Sequence, residues 1–295
     1  NYFAHASKHH FSFHLGKMQG IDREQQKLIL APLTNGVGDV IAEQRELAYD
    51  TLVLAIGSTS NDFATTGAAE HCIFLDSRGQ ADRFQREFLN LYLQAQARSL
   101  NDPSPQPLNI AIIGAGATGV ELAAELHHAA NEFHRYGLNQ IRPDDVKITL
   151  IEAADRVLSA LPEAVSARAE QQLKDFGVQV LTGLKVTAIH ADYVACAGDV
   201  QIPATLKVWS AGIKAPDFLK DIAGLETNRI NQLIVGATLQ TSRDPNIFAF
   251  GDCASYTPTG QERAVPPRAQ VANQQAVMLA KSMKARVKGQ PLPNF

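Results

Sequence analysis

Cysteine is scarce in this 295-residue chain, and its placement matters as much as its number. Cys72, Cys196 and Cys253 stand far apart and no C-x-x-C pair occurs. That argues against a disulfide framework and a dithiol redox centre, and fits a reducing, cytosolic setting. Long apolar runs are also missing. None reaches the length that spans a bilayer, and no signal peptide precedes the fold. A surplus of one charge is lacking too. Charged residues make up 19% of the chain and the net charge is -3, so neither a nucleic-acid binder nor a basic membrane-surface protein is indicated. There is no tandem repeat. The chain opens on Asn1 without an initiator Met and ends on Pro291-Leu-Pro-Asn-Phe295, so it reads as part of a longer protein. Its length allows one large or two ordinary domains.

What is present centres on Leu108-Asn-Ile-Ala-Ile-Ile-Gly114-Ala-Gly116-Ala117-Thr118-Gly119-Val-Glu121. An Ile-rich run meets three glycines spaced G-x-G-x-x-G, and a helical pattern follows at once. This is the strand, turn and helix start that hold a dinucleotide pyrophosphate. Gly114 permits the tight turn, Gly116 lets backbone approach the phosphates, and Gly119 lets the helix pack on its strand. Unpaired N–H groups and the positive end of the helix dipole then face the anion. A second strand, Val146 to Ile151, ends at Glu152, where an acid accepts hydrogen bonds from the adenosine ribose. A carboxylate there repels a 2′-phosphate and favours NADH, although Arg156 nearby is a cation that a phosphate could use. The alternative for Glu152 is a solvated strand end.

The remaining pattern supports an α/β chain. Phe11-Ser-Phe-His-Leu15 and Lys27-Leu-Ile-Leu30 read as a small antiparallel meander, and Tyr49 to Gly57 as a buried strand ending in glycine. His5 and His9 would share a helix face, either as a metal pair or as solvated surface. Ala81 to Leu100 is amphipathic, with Phe84, Phe88, Tyr92 and Ala95 at helical spacing. The proline-rich run 101–107 marks a boundary. Glu163 to Phe176 is a helix closed by Gly177, and Val186 to Leu206 is a strand meander. A last helix is expected from Pro267 to Lys288, with Pro266 and Pro267 in its first turn and Ala272, Ala276, Leu279, Ala280, Met283 and Val287 as its buried stripe.

Three further constellations carry chemistry. Glu121, expected in the first helical turn, either complements the helix dipole or sits beside a nicotinamide ring. Gly251-Asp252 ends a strand, where Asp252 either caps the next turn or takes a pair of ligand hydroxyls. Cys253 follows, a thiol without a partner. Gln270 and Gln274 lie one turn apart, either as an ordinary polar face or as donors to a ligand carbonyl.

Taken together, Tyr49 to Ser58, Gly114 to Glu125, Val208 to Ala215, Ile247 to Ala254 and Pro266 to Ala276 resemble the signatures of the two-dinucleotide flavoproteins. Within that superfamily they are most similar to the bacterial type II, non-proton-pumping NADH:quinone oxidoreductases, and they occur in that family's order. The resemblance implies a Rossmann-like NADH-binding domain (107–215) inserted into an FAD-binding α/β domain of the pyridine-nucleotide disulfide oxidoreductase type (1–106 and 216–295). It gives NADH to Gly114, Gly116, Ala117, Thr118, Gly119, Glu121, Glu152, Ala211 and Gly212. It gives FAD to Ala55, Gly57, Gly251, Asp252, Arg268 and Ala269, and the quinone to Gln270 and Gln274. No metal, nucleophile or acid–base residue is implied. The activity would be hydride transfer from NADH to FAD and then to a quinone. The whole protein would sit peripherally on the cytoplasmic face of the inner membrane, with room for a homodimer. The family's first G-x-G-x-x-G, for FAD, has no counterpart before residue 55, and its C-terminal amphipathic anchor is missing after Phe295. The FAD region is thus expected to be partial. The alternative function is an NADH-binding module without turnover. A disulfide or sulfide oxidoreductase would need paired cysteines.

Overall fold

The structure, a computed structural model, describes residues 2–99, 107–136, 138 and 140–295. The proline-rich run lies outside the described residues apart from Pro107. In chain order the elements used below are α1 (Tyr2–His9), β1 (Met18–Asp22), β2 (Lys27–Leu30), β3 (Arg45–Ala48), β4 (Leu52–Leu54), β5 (Ile73–Phe74), α2 (Arg78–Ser99), β6 (Leu108–Ile113), α3 (Ala117–Arg135) and β7 (Val146–Ile151). They continue with α4 (Glu163–Asp175), β8 (Gln179–Leu181), β9 (Val186–Ile189), β10 (Tyr193–Cys196), β11 (Val200–Pro203), β12 (Leu206–Trp209), β13 (Gln240–Thr241), β14 (Asp244–Ala249) and α5 (Ala269–Val287). The chain divides into two compact units, one from Thr59 to Ile213 and one made of the segments up to Ser58 and from Lys214. Helix α2 therefore belongs to the unit that carries the glycine turn.

That unit is built on a parallel five-stranded sheet of order β8-β7-β6-β12-β5. The register sets Ile113 opposite both Ile151 and Trp209, and Leu181 opposite Ile151, so the strands end at one level. The central strand β6 is apolar on both faces, as a parallel strand covered on both sides must be. Ile110 and Ile112 pack toward Phe88, Tyr92, Leu126 and Leu173 of the helices. Ala111 and Ile113 pack toward Val194, Cys196 and Ile202 of the β9–β11 meander. Each buried Ile, Leu, Val or Phe among them contributes about 1.5–3 kcal/mol. The expected stripe on α2 is real: Phe88 and Tyr92 are buried, and the Tyr92 hydroxyl donates to the carbonyls of Leu138 and Ile141 at 3.3 and 3.2 Å.

The other unit holds an antiparallel sheet β1-β2-β3 and a three-stranded sheet β13-β14-β4, in which β14 runs parallel to β4. Three expectations are corrected here. Phe11–Leu15 forms no strand; β1 begins at Met18, and Phe11 is half exposed because no partner strand covers it. The strand expected over 49–57 shrinks to Leu52–Leu54, with Leu54 buried and Val53 exposed. Helix α5 starts at Ala269 after both prolines, with Arg268 as its N-cap residue. Its buried residues are Gln275, Met278, Leu279 and Ser282, while Val287 is 90% exposed. Leu279 of the expected stripe is buried and Met283 packs against the core, but the buried face turns toward Gln275 and Ser282 because these two polar side chains are satisfied there: Gln275 accepts a backbone N–H, and Ser282 donates to the Met278 carbonyl at 3.1 Å.

Burial pushes the Cys72 thiol up from its ordinary 9.0 to about 12, against the lowering effect of the nearby Lys207 ammonium. A raised folded-state value means the folded chain holds a proton that the unfolded chain gives up. The stability this confers is complete below pH 9.0 and is lost as the pH climbs toward about 12. Urea unfolding at pH 7 and pH 10.5 should show a loss in the native protein that is smaller in Cys72→Ala; equal losses would exclude the thiol as the source.

Candidate functional site

Each glycine of the turn after β6 meets a different constraint. Gly114 has φ +102°, and a Cβ there would lie 2.6 Å from Cα and N of Ala211. A Cβ on Gly119 would lie 1.9 Å from the Gly114 carbonyl oxygen and 2.8 Å from Ser210 Oγ. Both are closed by protein. Gly116 is open: nothing lies within 4 Å of a Cβ built on it. It is the N-cap residue of α3, no side chain caps that helix, and Gly116, Ala117 and Thr118 are exposed. A helix start with free N–H groups, an outward dipole and no covering Cβ is a place for an anion. Glu121 is exposed in the second turn of α3, not the first, and the first turn carries no acid to compete with a bound anion.

Glu152 follows directly on β7. Its Oε2 accepts from the Ala115 N–H at 2.7 Å and its Oε1 from the Ala154 N–H at 2.8 Å. The carboxylate therefore ties the glycine turn to the next strand's end. Each oxygen retains acceptor capacity for a ligand hydroxyl. Arg156 is bound to its own loop, donating to the carbonyls of Leu161 and Ser159 at 2.9 and 2.7 Å. Gly114, Gly116, Glu152, Ala211 and Gly212 line one cavity of about 520 Å³, together with Phe63. Its size and its mixture of apolar wall and few polar groups suit a nucleotide. Phe63 was not among the residues read from the sequence; only a glycine-facing aromatic could have signalled it, and Gly212 lies 149 positions on in the chain.

In the other unit, Ala249 and Leu54 are paired in register, so Ala55–Gly57 and the Gly251-Asp252 turn leave adjacent parallel strands at the same edge. Gly251, at φ +71°, donates its N–H to Gln275 Oε1 at 2.8 Å. Asp252 Oδ2 accepts from Ser58 Oγ at 2.9 Å, and the Asp252 carbonyl accepts from Gln232 Nε2 at 2.9 Å. Ser58, Gln232 and Gln275 thus hold the turn. Gln275 sits next to the expected Gln274, but periodicity alone could not tell which amide turns inward. Arg268 and Ala269 open α5, and Gln270 and Gln274 are exposed on it. All three cysteines are buried, and none is disulfide-bonded. The rings of His5 and His9 lie 4.3 Å apart on α1, but among the described residues no group of three or more potential ligands gathers. No helix among those residues is long and apolar enough to cross a membrane.

The parallel sheet, the uncapped glycine turn and the carboxylate at the next strand end define an α/β protein of the Rossmann-like fold class. The model of the pyridine nucleotide-disulphide oxidoreductase family matches residues 4–276. The chain is 44% identical to a type II NADH:quinone oxidoreductase of Haemophilus influenzae, over 100% of the chain and 69% of that relative. It is 30% identical to one of Staphylococcus aureus, over 84% of the chain and 61% of the relative. In fold it is similar to NDH2 from Plasmodium falciparum in complex with NADH, with a TM-score of 0.69, 18% identity, and 83% of this chain and 50% of that one covered. A ferredoxin reductase from Rhodopseudomonas palustris gives a TM-score of 0.72 at 22% identity, covering 99% and 63%. The chain belongs to the pyridine nucleotide-disulphide oxidoreductase family and, within it, to the type II NADH:quinone oxidoreductases.

The glycines separate folding from binding. Gly119→Ala should cost about 3 kcal/mol of stability, because its Cβ meets backbone. Gly116→Ala should unfold like the native protein yet bind NADH about tenfold more weakly, through shielded N–H groups. Chemical unfolding and NADH titration check both; equal stability losses would contradict the distinction.

Proposed function

We propose that this chain is the NADH-binding and part of the flavin-binding portion of an NADH:quinone oxidoreductase. The observation that carries the reading is the open helix start at Gly116 beside Glu152 in one cavity, in a chain 44% identical to a type II enzyme. Gly114, Gly116, Ala117, Thr118 and Gly119 would receive the pyrophosphate on backbone N–H groups. Glu152 would accept from the adenosine ribose, and its charge disfavours a 2′-phosphate. The engagement of Arg156 within its own loop supports the same preference. Ala211 and Gly212 would border the cofactor at the end of β12, with Glu121 toward the nicotinamide.

The turn at Gly251-Asp252 supports the flavin part. Its carboxylate is aimed by Ser58 and its backbone is held by Gln232 and Gln275, which suits a fixed acceptor for ribityl hydroxyls. Ala55 and Gly57 leave the neighbouring strand at that edge. The first turn of α5, from Arg268 and Ala269, would direct its dipole toward the electron-rich side of the ring. Gln270 and Gln274 would face a quinone head group. When bound, FAD supplies the two-electron chemistry that takes hydride from NADH and passes reducing equivalents on. The side chains bind, orient and shield; none is asked to act as acid or nucleophile. The reading further puts the whole protein peripherally on the cytoplasmic face of a bacterial inner membrane, where its quinone resides.

The full-length protein should carry a flavin spectrum and oxidise NADH in the presence of a soluble quinone. Oxidation no faster than in flavin-containing buffer would defeat the proposal. Glu152→Arg should weaken NADH about tenfold or more and also lower stability, because the Ala115 and Ala154 N–H groups lose their acceptor. Unchanged NADH affinity would remove Glu152 from the site.

A further inference from the structure

We infer that Phe63 is a positioning residue that contacts the nicotinamide half of the dinucleotide. The inference rests on the dinucleotide reading above and follows from the order of the strands. The sheet runs β8-β7-β6-β12-β5, with Ile151, Ile113 and Trp209 level at its edge. Glu152, past the end of β7, takes the adenosine ribose. Gly116, past the end of β6, takes the phosphates. A dinucleotide extended along that edge leads next over the end of β12, where Ala211 and Gly212 lie. Its second nucleoside belongs there.

Phe63 borders that position. Its Cζ and Cε2 lie 2.3 and 2.7 Å from where a Gly212 Cβ would stand, so the ring rests on the bare glycine, and it lines the same cavity as Gly116 and Glu152. Phe63 is 62% exposed, which is unusual for an aromatic whose backbone is so firmly held. Phe63 and Ala64 both adopt left-handed conformations, with φ +51° and +54°. Asn61 Oδ1 accepts from the Phe63 N–H at 3.0 Å and Asp62 Oδ1 from the Ala64 N–H at 3.1 Å. Trp209 Nε1 donates to the carbonyls of Asn61 and Ala211 at 2.9 and 2.8 Å, so one indole ties the Phe63 loop to the turn under the cofactor. The Ile189 N–H, donating to the Thr66 carbonyl at 2.8 Å, fixes the loop's far side. Core packing does not require this fixing, since the ring is largely outside the core. It aims a flat apolar face at the cavity instead.

Two unreactive probes separate the halves of the cofactor in the full-length protein. ADP carries the adenosine and both phosphates; 1,4,5,6-tetrahydro-NAD carries the nicotinamide nucleoside as well and cannot donate hydride. By titration calorimetry, Phe63→Ala should weaken tetrahydro-NAD about fivefold or more while ADP stays within about twofold. Phe63→Tyr should restore the native ratio. Should Phe63→Ala not fold, Phe63→Leu serves the same comparison, because leucine covers Gly212 without a flat ring. Equal weakening of both probes would make Phe63 a structural wall only and overturn the inference, as would no weakening of either. Failure of the native protein to bind either probe would overturn this inference together with the dinucleotide reading, whereas binding of both with an unchanged ratio in the variant would overturn this inference alone.

Discussion

The carboxylate of Glu152 holding the N–H groups of Ala115 and Ala154 is the interaction on which the site depends. It joins the end of one strand to the turn after its neighbour. Without it, the turn would have an unpaired N–H beside a helix start that already carries four. With it, the turn is set before any ligand arrives, and the free N–H groups of α3 remain in a fixed direction. Preorganised donors of this kind bind an anion without the cost of ordering a loop. On the proposed reading the same carboxylate would also accept from the ribose, so one residue would tie structure to recognition.

The two glycines closed by protein make the arrangement rigid. Gly119 sits almost in contact with the Gly114 carbonyl, and Ser210 Oγ donates to the carbonyls of Ile113 and Gly114, 2.9 Å from each. Strand β12 is thereby fastened to the turn from the side opposite Glu152. Buried Lys207, whose ammonium donates to the carbonyls of Ala191 and Ala204 at 2.7 and 2.9 Å, fastens the meander to that strand in turn. Burial holds its ionisation point below the usual lysine range. The turn is therefore braced by polar contacts on both neighbouring strands, while apolar packing carries the sheet itself.

In the second unit the constraint is of another kind. The Gly251-Asp252 turn is set by side chains from three separate parts of the chain, Ser58 and Gln232 on Asp252 and Gln275 on Gly251. None is adjacent to it in sequence. This is why Gly251-Asp252 could be read as a strand-end motif while its supports could not. An amide or hydroxyl in a helical or glycine-rich pattern looks the same whether it meets solvent or a buried backbone group. The turn of the buried face of α5 away from part of the expected stripe has the same origin: a hydropathy pattern counts Gln275 and Ser282 as outward, but hydrogen bonding makes them inward. The strand expected at Phe11–Leu15 failed because alternation records one face, not the existence of a pairing partner.

Local chemistry was legible where a single peptide carries its own constraint. The strand, turn and helix from Leu108 onward, the acid at Glu152, and the helix ending before Gly177 each follow from short-range sterics, hydrophobic periodicity and helix-end chemistry. These act within a few residues and so leave their mark on consecutive positions. The tertiary structure decided what depends on juxtaposition: which glycine faces open space, that Gln275 and not Gln274 grips the turn at Gly251, and that Phe63 lies on Gly212. Those facts require segments distant in the chain to meet, and the free energy of their meeting is shared among strands and helices that no local pattern specifies.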